Sequence, residues 1–156
     1  MAIRLFKVVS LAALVVFPAY GQSLPGPGQK IVAITTYFQF ITEDDVDQRT
    51  KLDLLLAQKQ VGREDVINEL VIDMAKIVKA EGAGLLSDAL VDQAFADMCS
   101  RLGVAPADLM KTLEEKGVRL DTLRKRLRSD VARERLARMP SQGYEDRLDY
   151  PLIPKM

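Results

Sequence analysis

From Thr42 to Met139 apolar residues recur every three or four positions, and nearly every break in that rhythm is a glycine or a proline. Only a period near 3.6 returns such side chains to one face, so the spacing predicts a succession of amphipathic helices. The clearest covers Arg63 to Ala80. Val66, Ile67, Leu70, Val71, Met74, Ile77 and Val78 form one stripe there, expected to be core, and Gly82 and Gly84 close the helix. A first helix is predicted over Glu43 to Ala57, with Val46, Leu52, Leu55 and Leu56 apolar. A third begins after the N-cap Ser87, turns Leu90, Val91, Ala94, Phe95, Met98 and Leu102 to one side, and stops at Gly103. Pro106 opens a fourth that runs to Lys116 before Gly117, with Leu109, Met110 and Leu113 apolar. A fifth spans Asp121 to Arg138, with Leu120, Leu123, Leu127, Val131 and Leu136 on its buried side.

Ahead of the helices, Lys30 to Ile41 (KIVAITTYFQFI) is rich in β-branched and aromatic residues. It reads as one strand or two short ones with a turn near Thr35 to Tyr37. The expected fold is therefore mainly α: a short N-terminal β element followed by about five helices. The length of 156 residues suits one domain with short extras.

The ends read differently. Residues 1–21 have the form of an export signal. Arg4 and Lys7 give a positive start, Val8 to Val16 is apolar, and Ala19 and Gly21 are small residues where a signal peptidase reads. The alternative is an uncleaved anchor, but the apolar run is short for a membrane span. Cleavage near Gly21 places the protein in the periplasm. Residues 22–29 form a Pro/Gly linker, residues 30–139 the folded domain, and residues 140–156 an irregular polar tail.

The chemistry-bearing residues are few. There is no His, which removes the usual general base and a common metal ligand, and Cys99 is the only cysteine. No nucleophile elbow or phosphate loop is present. The acidic stretch ITEDDVDQR could be a metal site or a helix start. A calcium loop needs acids at alternate positions, a central Gly and a closing Glu, none of which follows. Thr42 with Glu43, Asp44 and Asp45 instead matches a cap and a first turn facing the positive helix end. No cofactor, metal or catalytic residue is therefore expected. Eight basic residues crowd between Arg119 and Arg138. A basic helix can touch nucleic acid, anionic lipid or an acidic partner, or be a solvated face with pairs such as Arg126–Asp130 and Glu134–Arg138. Export argues against nucleic acid.

Three stretches in order carry a resemblance: SDALVDQAF from Ser87 to Phe95, RLGVAPADL from Arg101 to Leu109, and GVRLDTLRKRLR from Gly117 to Arg128. With the preceding β segment and long helix, they resemble the N-terminal domain of the SurA family, periplasmic chaperones of outer-membrane protein precursors. The likeness covers about Lys30 to Met139. It implies a helical peptide-binding-like core that holds unfolded clients, with no energy source and no catalysis. Members often carry parvulin-type prolyl isomerase domains. Only 17 residues follow Met139 here, so such a domain and the family's completing C-terminal segment are expected to be missing. The family's Asn/Gly turn between the strands is replaced by TTYFQF. Tyr37, Met74, Phe95, Met98 and Met110 are the candidate client-binding residues, with a place in the core as the alternative for each. An envelope adaptor that pairs with one fixed partner or with itself is the competing reading, and a prolyl isomerase in name only a third. Partners expected are unfolded outer-membrane proteins, without nucleic acid or a stable membrane span, and with self-association of an open apolar groove.

Overall fold

A computed structural model describes residues 26, 28–58 and 60–139. Two strands, β1 (Ile31–Ile34) and β2 (Phe40–Thr42), are followed by α1 (Glu43–Ala57), α2 (Arg63–Gly82), α3 (Asp88–Leu102), α4 (Pro106–Glu115) and α5 (Leu120–Ala137). The β-then-five-helix order expected from periodicity is what the chain adopts. The expected export signal at residues 1–21 and the expected irregular tail at residues 140–156 lie outside the described residues.

The strands form an antiparallel hairpin pairing Ile31 with Thr42, Ala33 with Ile41 and Ile34 with Phe40. A register shift between Ile31 and Ala33 bends it. Thr35 makes the turn. Its N–H donates to the Gln39 carbonyl, its carbonyl accepts from the Phe38 N–H, and its hydroxyl accepts from the Gln39 N–H. The loop therefore runs two residues beyond the turn expected at Tyr37, and Phe38 closes it with φ at 57°.

Thr42 ends β2 and starts α1. Its hydroxyl accepts from the Asp45 N–H at 3.2 Å, and the Asp45 carboxylate accepts from the Thr42 N–H at 3.0 Å. This reciprocal capping box, with Glu43 and Asp44 beside it, shows the acidic stretch to be a helix start. At α3 the Ser87 hydroxyl accepts from the Leu90 N–H. Gly103 and Gly117 end α3 and α4 with φ of 66° and 65°, a left-handed turn that costs a residue with a Cβ more.

Helix α5 packs on all four other helices. The main core lies between α5, α1, α3 and α4, where Leu52, Val91, Cys99, Leu113, Leu123 and Leu127 are buried. A second, smaller core sits under the hairpin, built on Ile41, Val46 and Val66 with Ile67, Leu70 and Val71 against it. The α2 stripe, expected to be core throughout, divides. Val66 is fully buried, whereas Met74, Ile77 and Val78 are half-buried and face a groove. Leu56, Leu102 and Met110 carry the right period yet are exposed.

Two buried polar residues hold the helices in register. Gln48 of α1 reaches about seventy residues along the chain: its Nε2 donates to the Gly117 carbonyl at 3.1 Å, and its Oε1 accepts from the Arg119 N–H at 2.8 Å. It thereby supplies the start of α5, which has no side-chain cap of its own. Arg49 is 2% exposed and donates to Asp53 of α1 and to Glu69 and Asp73 of α2. Arg126 of α5 approaches the same two α2 carboxylates and pairs with Asp130.

Candidate functional site: a groove between the hairpin, α2 and α5

The hairpin does not lie flat on the helices. Its loop, the start of α1, the second half of α2 and the first half of α5 enclose a groove of about 1010 Å³. The apolar lining comes from two directions. Leu70, Met74, Ile77 and Val78 of α2 follow the helical period, and Tyr37, Phe38 and Phe40 come from the hairpin. Phe38 is 77% exposed, the most exposed large apolar side chain described. Its left-handed backbone is costly for a residue with a Cβ, and local strain of this kind is concentrated at binding sites.

The remaining wall is charged, and the charges meet across elements. Arg119 reaches Asp44 at 2.7 Å, and Lys125 reaches Asp45 at 3.7 Å and Asp121 at 3.2 Å. Arg128 holds Glu81 at 2.8 Å and also bonds Asp88. Deeper in, Arg126 and the buried Arg49 share Asp73. A hydrogen bond from Arg119 holds the Asp44 carboxyl below its ordinary range, and one from Arg63 does the same for Glu43. Burial raises Asp53 and Asp130 above theirs, with neighbouring carboxylates adding to the effect. Burial opposes the charge on Arg49, but Asp53 and Asp73 outweigh it and strengthen its hold on the proton.

The basic helix is therefore neither a free cationic face nor only a solvated one. Besides the i to i+4 pairs Arg126–Asp130 and Arg138–Glu134, it pairs Arg119, Arg124, Lys125 and Arg128 with acids on α1, α2 and α3. Those partners lie 32 to 80 positions away, beyond the reach of a helical wheel.

Of the five candidate contact residues, the groove brings together Tyr37 and Met74. Phe95 and Met98 are half-buried on α3 and pack on the main core. Met110 is exposed beside a separate shallow depression between α4 and the start of α5. Phe38 was missed by sequence reasoning. An aromatic within a β-rich run is ordinarily taken as a strand residue, and the left-handed turn that exposes it leaves no Asn or Gly as a signal. Cys99 is buried in the main core. Among the described residues no three His, Cys, Asp or Glu side chains are grouped to hold a metal ion, and no helix is long and apolar enough to cross a membrane. Comparison of the sequence with protein-family models and with characterised proteins finds no match.

Proposed function

We propose that this chain is a non-catalytic holdase of the SurA N-terminal-domain type, exported to the periplasm, whose groove takes up apolar segments of unfolded outer-membrane proteins. The observation that carries the reading is the pairing of an apolar groove with an aromatic, Phe38, held exposed at its edge. Magnitudes fit a holdase. Burying one aromatic side chain of a client, about 150–250 Å², gains roughly 4–6 kcal/mol before costs. Lost motion on association consumes an estimated 4–15 kcal/mol, so a site of a few such contacts captures weakly and releases without an energy source. At the groove the chemistry-bearing side chains have other employment: Asp45 caps α1, Asp44, Asp73 and Glu81 hold arginines, and the one thiol is buried in the core.

The protein has no Trp, so a Trp in an unfolded client segment reports on binding alone. Titration is expected to give a saturable one-to-one change that Met74→Ala and Phe38→Ala weaken. No change with any apolar segment would overturn the reading, and tight binding to a single folded partner would favour the adaptor.

A further inference from the structure

The groove is lined by five acidic and five basic side chains, and each has an opposite charge within 4 Å that also lines it. On α5 alone the excess is strongly basic, which would favour an acidic ligand. Folding cancels it with carboxylates brought in from α1 and α2. A groove with one sign in excess steers the opposite sign toward it, and the side chains that line this one are balanced in number. A charged group entering must take a partner away from an existing pair, stranding the other member, or remain unpaired against an apolar floor. The penalty is greatest at the deep end, where the Arg49 and Asp73 side chains are 3% and 16% exposed.

We infer that the groove selects uncharged extended polypeptide segments and discriminates against acidic and basic ones alike. This specificity rests on the holdase reading and adds to it. Binding of an uncharged segment gains nothing from long-range attraction, so added salt leaves it nearly unchanged.

The test uses three Trp-bearing peptides with the same apolar residues, flanked by Ser, by Asp or by Lys, titrated into the full chain at low and high salt. The Ser peptide is expected to bind with less than about a twofold change between salts, and both charged peptides about tenfold more weakly at low salt. Lys125→Glu, at a half-exposed rim position, leaves the lining two acids in excess, so the Lys peptide should then become the preferred one. Binding of either charged peptide to the unaltered protein as tightly as the Ser peptide would overturn the inference, as would an unchanged order of preference in Lys125→Glu. Failure of all three peptides to bind the unaltered protein would instead remove the holdase reading itself.

Discussion

Phe38 sits at a position that works against stability twice: its backbone is left-handed and its ring is in water. Phe38→Gly should therefore raise unfolding stability, by about 0.5–1 kcal/mol, while weakening client capture. Denaturant midpoints and peptide titrations of the same variant check both halves, and a loss of stability above about 1 kcal/mol would mean that the ring packs in the free protein. Arg49 is the opposite case, a buried charge held by three carboxylates. Arg49→Ala strands Asp53 and Asp73, each largely covered, and is expected to cost about 3–5 kcal/mol by denaturant unfolding. A cost below about 1 kcal/mol would mean that the carboxylates find water or Arg126 instead. Neither residue announces itself in the sequence. Arg49 follows an acidic helix start and reads as another solvent-facing charge, and only the crossing of α1, α2 and α5 encloses it.

At the scale of elements, the local signals were sufficient for the helices and insufficient for their burial. Thr42, Ser87, Pro106, Gly103 and Gly117 are chemical punctuation that acts within a few residues, so helix ends fall within about two residues of where the sequence puts them. Burial depends on which elements cross, which is why α2 is core at Val66 and groove at Met74 under one unbroken period. The difference is measurable: Leu52→Ala, in the main core, should cost about 2–5 kcal/mol, and Met74→Ala under about 1.5 kcal/mol. Equal costs would mean that the groove is closed. The first turn of α1 sets a pH dependence. Arg63 and Arg119 hold Glu43 and Asp44 below their ordinary values of 4.5 and 3.8, so in the unfolded chain both acids bind protons more readily. Their stabilisation is present above about pH 4.5 and is lost as pH falls through the folded values. Asp53 and Asp130, raised by burial, act in the other direction: their contribution is complete below 3.8 and is lost as pH rises through their folded values. Glu43→Gln removes one acid-labile member, so the fall in denaturant midpoint between about pH 6 and pH 3 should be smaller than in the unaltered protein. A fall equal or larger would contradict that assignment.

For the whole molecule, the order of a short β element and five helices was legible because periodicity and helix-end chemistry are local. The groove was not, since it exists only where residues from near position 37, near 74 and near 125 meet. Its charge balance was hidden for the same reason: α5 read alone is a cationic helix, and in place Arg119, Lys125, Arg126 and Arg128 meet carboxylates brought in from α1 and α2. The proposed activity follows from that assembly, with an apolar floor on α2, aromatics from the hairpin, and a wall that neutralises itself. Aggregation of two unrelated unfolded outer-membrane proteins, followed by light scattering with this protein added at equal concentration, tests this most directly. The account predicts that the unaltered protein delays aggregation of both and that Met74→Glu, which puts a charge on the groove floor, does so much less while remaining folded by circular dichroism. Equal protection by the variant, or none by the unaltered protein, would contradict it.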